Sequence, residues 1–320
     1  FPATITPALQ YGLVPIFVDV DLQTLNIQAE RIEECITPRT RAIILAHTLG
    51  NPFDLDVVTR IAKEHDLWLI EDCCDALGST WKDQLVGSFG DFGTLSFYPA
   101  HHITMGEGGG VFTNNNLLFR IARSMRDWGR DCWCLPGHDN TCNKRFGWSL
   151  GNLPQGYDHK YIYSHAGYNL KISDMQAATG VAQMGHLDHF VDSRRQNFDF
   201  LYRNLQDLEE FLILPRATPY SDPCWFGFPI TLRTGTPGSR IDLIQWLEEG
   251  KIATRLLFGG NLICQPFMQQ YKYKVDGELP NTNKIMNDTF WIGVWPGLTR
   301  QMLEYVVDRI RKYFSTQRNA

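Results

Sequence analysis

Residues 41 to 78 constrain the fold more than any other stretch of the chain. Arg41 to Ala46 is a short apolar run closed by the turn Gly50-Asn51-Pro52, Leu55 to His65 is amphipathic at helical spacing, and Leu67 to Ile70 is a second buried run. Strand, helix and strand in that order form a crossover unit, which demands a mainly parallel sheet covered by helices. Val14 to Val20 reads as a further strand, and Gln28 to Cys35 has helical character. In open α/β sheets, ligands bind beyond the carboxyl ends of the strands. Glu71, Asp72, Cys73 and Cys74 follow the second run and so arrive where a cofactor is expected.

Gly87 to Phe97 contains short strands bent at Gly90 and Gly93, Gly106 to Gly110 is a glycine-rich turn before the strand Gly110 to Thr113, and residues 114 to 128 are helical. From Gly129 to Tyr168 regular patterning stops, and an irregular stretch that long in a compact chain usually builds a site. Ser173 to about Leu208 carries one long helical pattern, with Ser173 as N-cap and Gln176 at the capping-box position. Alternating Phe226 to Leu232, a helix Ser239 to Glu249 and a last helix Arg300 to Tyr313 describe a smaller α+β unit. A chain of 320 residues exceeds one comfortable core. The expectation is a large domain over 1–190 and a small one over 191–320, joined by the long helix that starts near 173.

A net charge of −5 leaves no broad basic surface for nucleic acid. The apolar runs, such as Ala42 to Ala46, fall far short of the roughly 20 residues of a membrane span, so a soluble, cytoplasmic protein is expected. The chain starts at Phe1, without Met or a signal-peptide pattern, and reads as a fragment lacking its natural start. Its 8 cysteines are too sparse for a disulfide scaffold, and Cys132, Cys134 and Cys142 crowd together, which suggests a metal centre in a reducing compartment.

The segments Ile70-Glu71-Asp72-Cys73-Cys74-Asp75-Ala76-Leu77-Gly78, Ser96-Phe97-Tyr98-Pro99-Ala100-His101-His102-Ile103-Thr104 and Gly106-Glu107-Gly108-Gly109 carry a resemblance that runs through nearly the whole chain. Phe17 to Asp21 and Tyr168 to Asp174 extend it. Together they resemble the DegT/DnrJ/EryC1/StrS sugar aminotransferase family, which uses pyridoxal phosphate. The resemblance implies the type I pyridoxal-phosphate-enzyme fold, α/β and aspartate aminotransferase-like. Its large domain has a mainly parallel sheet of the seven-stranded type, and its C-terminal domain is smaller and α+β. The resemblance further implies that Asp72 pairs with the pyridine nitrogen and keeps the ring able to accept electrons. Asp75 would share the cofactor pocket, Ser96 would donate to the phosphate, Asn169 would reach a phosphate across a homodimer interface, and Phe1 would stack on the pyridine face. The Gly/Ser loop that cups the phosphate is expected before residue 1.

In transaminating members of the family, the fifth residue after the motif serine is the lysine that tethers the coenzyme; here it is His101. Imidazole forms no stable imine with the coenzyme aldehyde, so the amine form, pyridoxamine 5'-phosphate, is expected to be held without a covalent bond. A catalytically dead relative is the plain alternative, but a side chain that titrates near neutrality suits proton transfer. The chain closely resembles the subgroup with this replacement, the 3-dehydrases of nucleotide-linked 4-keto-6-deoxyhexoses. In these, pyridoxamine phosphate condenses with the C4 ketone, a base removes a C4' proton and the C3 hydroxyl leaves. By position, His101 is that base.

Cys74, Cys132, Cys134 and Cys142 leave 57, 1 and 7 residues between them, which matches the iron-sulfur subgroup of these dehydrases. Four thiolates suit a [2Fe-2S] cluster or a structural zinc. Cys74 is two residues from Asp72, at most about 7 Å along the chain, so a redox centre there could feed electrons to the bound sugar whereas zinc could not. Cys73 is expected as a neighbour, and Cys35, Cys224 and Cys264 as packing residues. The resemblance thus implies an NADH-dependent flavin/iron-sulfur reductase as partner and CDP-4-keto-6-deoxyglucose as substrate, in 3,6-dideoxysugar synthesis for surface polysaccharide. A TDP or GDP sugar, or a non-catalytic protein retaining the pocket, are the alternatives. Tyr157, His159, Lys160 and Tyr161 precede the interface motif in the stretch expected to roof the pocket. Arg255, in Thr254-Arg255-Leu256, resembles the small-domain segment that meets the nucleotide diphosphate.

Overall fold

A computed structural model describes residues 1–135 and 137–318. The first half runs α1 (Pro2–Gln10), β1 (Ile16–Phe17), β2 (Ala42–Ala46), α2 (Leu55–Glu64), β3 (Trp68–Asp72), β4 (Thr80–Trp81), β5 (Gln84–Leu85), β6 (Phe92–Ser96), β7 (Gly109–Phe112) and α3 (Asn116–Arg126). An irregular stretch then leads into α4 (Asp174–Met184), α5 (Leu187–Leu205), β8 (Leu212–Ile213), β9 (Ser221–Asp222), β10 (Gly227–Leu232), α6 (Arg240–Glu249), β11 (Thr254–Leu256), β12 (Lys274–Val275), α7 (Pro280–Asp288), β13 (Thr289–Gly293) and α8 (Arg300–Arg318).

The sheet that positions the site has the order β2-β3-β6-β7. The pairs β2–β3 and β3–β6 are parallel, as the crossover pattern requires, and β6–β7 is antiparallel. Residues 97 to 108 between β6 and β7 form turns without a helix, so the chain has no crossover and must return antiparallel. Among the described residues this sheet holds 4 strands, fewer than the seven-stranded type expected. The second four-stranded sheet, β11-β13-β10-β8, is antiparallel throughout.

Local chemistry fixes these elements. Asp54 caps α2 by accepting from the Val57 amide, and Leu55, Val58, Ile61 and Ala62 line its buried face. The Ser173–Gln176 capping box starts α4 as anticipated. The long pattern from Ser173 is two helices, because α4 closes at Gly185 and α5 begins at Leu187. Gln28 to Cys35 is a pair of 3-10 turns, Ala29–Arg31 and Glu33–Cys35, too short for α-helix. One apolar core gathers Phe53, Val58, Ile61, Leu69 and Trp81; a second gathers Leu201, Phe228, Ile230, Phe290 and Phe314. Leu25, Leu49, Phe226 and Ile285 form a smaller cluster of their own.

Strand alternation places Leu69 and Glu71 on one buried face of β3 and directs Asp72 to the other. Glu71 is 0% exposed. Its carboxylate accepts from the amides of Gly87 at 2.7 Å, Phe89 at 2.8 Å and Gly90 at 2.7 Å, and from His47 Nε2 at 3.1 Å. The Phe53 amide donates to His47 Nδ1, which leaves the ring proton on Nε2, facing Glu71. Gly87 needs its φ of +89°, since a Cβ there would lie 2.5 Å from Phe112 and 2.9 Å from the Cys73 sulfur. Burial alone would raise the Glu71 carboxyl, but His47 and the amides outweigh it and hold the group below the ordinary range. Replacing Glu71 with Ala strands all four donors in the interior. The expected loss is about 3–5 kcal/mol of unfolding free energy, read from urea denaturation. A change under about 1 kcal/mol would contradict this role.

Candidate active site

The site forms where β3 and β6 end. Asp72 accepts from the Thr4 hydroxyl at 2.7 Å and from the Cys74 amide at 3.1 Å, which fixes both oxygens. Asp75, with 15% of its side chain exposed, is pushed up to about 7 by burial and then by the Asp72 carboxylate beside it. Two carboxylates so close, one of them poised to take a proton, mark a place for a cationic or proton-donating group. The Cys74 thiol is raised well above its usual range by burial and by Asp72, so it stays protonated while nothing binds it.

Ser96 ends β6, and its hydroxyl accepts from the Tyr98 amide at 3.3 Å. The turn that follows carries His101, whose amide donates to the Tyr98 carbonyl at 2.9 Å. The His101 ring is stacked on Phe226 with centroids 5.2 Å apart, and Tyr98 meets it edge-on at 6.2 Å. Its Nδ1 lies 3.4 Å from Asp75 Oδ1 yet makes no hydrogen bond in the chain. Burial lowers the His101 imidazole from its ordinary value, Asp72 opposes that and Arg194 adds to it, so the surroundings favour the neutral ring, the form that acts as a base. His102 differs in kind: fully enclosed, it donates from Nε2 to the Cys224 carbonyl at 2.8 Å and is pushed down to about 3, so it is a packing residue.

Arg194 and Phe226 complete this end of the site, and the sequence reading missed both. Arg194 is 3% exposed, donates to the carbonyls of Trp225 at 3.3 Å and Phe226 at 3.2 Å, and lies over the Phe226 ring. The signal was present: Val191, Arg194, Phe198, Leu201 and Leu205 form one buried stripe of α5, and an arginine on such a stripe requires partners.

The cysteines fall in two places. The ligand atoms of Cys132, Cys134 and His159 lie within 4.8 Å of one another, and Cys142 Sγ is 3.4 Å from His159 Nδ1. Cys134 is lowered to about 7, first by the Thr141 hydroxyl and then by Cys142 and Cys132. Among the described residues Cys74 is not part of this group and stays beside Asp72. His159, expected near the sugar, is 0% exposed and stands between sulfurs. Tyr157 and Tyr161 are exposed, and Lys160 pairs with Asp139. Asn169 bridges to Asp127 through its backbone and accepts from Lys171 Nζ at 2.8 Å. Phe1 is largely exposed, with its ring edge-on to Phe258 at 5.9 Å. Arg255, exposed on β11, donates to the Thr254 carbonyl at 2.7 Å.

The Asp75 shift sets a pH dependence. Folding raises this carboxyl from 3.8 to about 7, so its contribution is present in full below pH 4 and is lost as pH rises through 7. Cofactor-free Asp75→Asn protein is expected to gain stability relative to the unsubstituted chain as pH rises from about 4 to 7.5, on the order of 2–4 kcal/mol, in urea titrations at each pH. A pH-independent difference would refute the burial argument.

Comparison with known proteins supports a common origin. The family model described as DegT/DnrJ/EryC1/StrS aminotransferase family matches residues 1–311. The chain is 60% identical over 314 residues to the lipopolysaccharide biosynthesis protein RfbH of Salmonella typhimurium, covering 98% of this chain and 72% of that protein. It is 54% identical over 313 residues to dTDP-4-dehydro-2,6-dideoxy-D-glucose 3-dehydratase of Saccharopolyspora spinosa, covering 98% and 68%. The solved structure of E. coli GDP-4-keto-6-deoxy-D-mannose-3-dehydratase with bound hydrated PLP superimposes with a TM-score of 0.86 at 26% identity, covering 97% of this chain and 77% of that one. With the family model matched along nearly its whole length and the α/β architecture of these relatives, the chain belongs to the DegT/DnrJ/EryC1/StrS aminotransferase family.

Proposed function

We propose that the chain removes the C3 hydroxyl of a nucleotide-linked 4-keto-6-deoxyhexose, using pyridoxamine 5'-phosphate and a [2Fe-2S] centre. The observation that carries this reading is His101: a buried imidazole whose Nδ1 lies 3.4 Å from Asp75 Oδ1 without a hydrogen bond, stacked on Phe226, at the position where transaminating relatives keep a lysine. When bound, pyridoxamine phosphate supplies an amine for the sugar ketone and a ring that accepts electron density. The paired carboxylates fit that group, with Asp72 holding the ring nitrogen protonated and Asp75 beside it. Ser96 would hold the phosphate, joined by Asn169 from a second copy, and Phe1 would pack against the ring. With that group bound, His101 would take a proton at the cofactor's methylene carbon and deliver one to the departing hydroxyl oxygen.

Removing a hydroxyl in this way needs electrons from outside. The three sulfurs gathered at Cys132, Cys134 and Cys142 have the donor chemistry of an iron-sulfur centre, and Cys74, which lies beside Asp72, would be its fourth ligand. An NADH-dependent flavin/iron-sulfur reductase is the donor. Arg255 and Tyr157 serve the nucleotide sugar. CDP is the nucleotide expected from the sequence; a second reading, dTDP, is favoured by the relative that acts on a dTDP sugar at 54% identity. The two large apolar cores fold as a cofactor-binding domain over 1–190 and a small domain over 191–320. No described helix is long and apolar enough to cross a membrane, and a cytoplasmic enzyme of surface-polysaccharide synthesis fits its chemistry.

The chain works as a homodimer in this reading. Val111 on β7, Leu117 and Phe119 on α3, Leu170, and Met175 and Val181 on α4 are all more than half exposed, an apolar set that a second copy covers. Sedimentation at micromolar concentration is expected to give a dimer, and Met175→Glu with Val181→Glu a monomer. A wild-type monomer would contradict it. For the chemistry, protein loaded with pyridoxamine phosphate is mixed in deuterated water with CDP-, dTDP- or GDP-linked 4-keto-6-deoxyhexose. The expected result is solvent deuterium at the cofactor C4' position with at least one sugar, reduced about 10²- to 10⁴-fold in His101→Asn. Undiminished exchange in the variant would remove His101 from the mechanism.

A further inference from the structure

His159 is the most deeply buried polar residue of an otherwise exposed segment, and a polar group buried without partners is costly. Its partners are sulfurs. Nε2 is 3.4 Å from Cys132 Sγ and Nδ1 is 3.4 Å from Cys142 Sγ, both within N–H···S or S–H···N reach. Cys134 in turn contacts both Cys132 and Cys142, so the four side chains close a ring.

The segment is built to hold this imidazole. Asp158 caps the 3-10 turn His159–Tyr161 by accepting from the Lys160 amide, and its carboxylate is clamped by Arg145 at 2.8 and 3.0 Å. The His159 amide donates to the Arg145 carbonyl at 2.9 Å. Trp148 closes over the imidazole edge-on at 5.4 Å and packs against Trp133 at 5.1 Å, which excludes water from the ring. Each nitrogen faces a different sulfur, so the ring lies between the pair.

We propose that His159 is the positioning residue of the cysteine metal centre, its one ring N–H donating to one of the Cys132 and Cys142 sulfurs while the ring packs between the two and holds them at ligand spacing. The inference rests on the metal-centre reading above and adds to it a residue that touches ligands, not metal. Outer partners of this kind typically set metal affinity by 10- to 100-fold.

The test uses wild-type chain, His159→Ala and His159→Gln, reconstituted anaerobically with ferrous iron and sulfide. Iron affinity is read by chelator competition, with far-UV circular dichroism and pyridoxamine phosphate binding as folding controls. The glutamine amide offers N–H donors of its own to a ligand sulfur, so it can replace that contact. His159→Ala is expected to lose affinity about 10- to 100-fold, and His159→Gln to keep most of it. Wild-type affinity in the alanine variant, glutamine as weak as alanine with folding intact, or a directly bound nitrogen in the electron paramagnetic resonance of the reduced centre would each overturn the assignment while leaving the metal centre standing. A wild-type chain that takes up no iron ends the metal-centre reading and this inference together.

Discussion

A buried carboxylate organises the active end of this molecule. Glu71 draws the amides of Gly87, Phe89 and Gly90 onto the edge of β3 and is backed by His47. That knot sets the path by which the chain turns into β6, and β6 delivers Ser96 and then His101. It also fixes the strand's facing, so that Asp72, one residue later, points to the opposite side. A displaced β3 terminus would carry Asp72, Cys74 and Asp75 with it.

Above that knot the electrostatics are arranged by burial more than by pairing. Asp75 is driven toward neutrality by its surroundings and by Asp72, while the His101 ring is kept uncharged. The buried guanidinium of Arg194 is tied to the Trp225 and Phe226 carbonyls, and its charge acts on both Asp75 and His101. The result is an anionic corner beside a neutral base, suited to a protonated heterocycle that must lose a proton from a neighbouring carbon. Phe226 ties this corner to the second half of the chain, because it stacks on His101 and shares a cluster with Leu49 and Ile285.

Much of this was legible in the residues. The crossover pattern gave β2, α2 and β3 within a residue or two, and Ser173 with Gln176 announced the start of α4. The break at Gly185 was hidden because the apolar spacing continues across it. Val14 to Val20 shrank to Ile16–Phe17, a segment that pairs with Lys274–Val275, a pairing of high sequence separation that local patterning does not reveal. Within the site, the acid and imidazole positions followed from motif spacing. The Glu71 knot, the Arg194 platform and the placement of His159 among sulfurs did not, since each depends on contacts between residues 16 to 31 positions apart.

The central claim is that the coenzyme is held without a covalent tether. It is tested most directly by loading the protein with pyridoxal phosphate, reducing with borohydride and weighing the intact chain. The account predicts an unchanged mass under conditions that permanently label a lysine-bearing relative. A stoichiometric pyridoxyl adduct on a lysine of this pocket would contradict it.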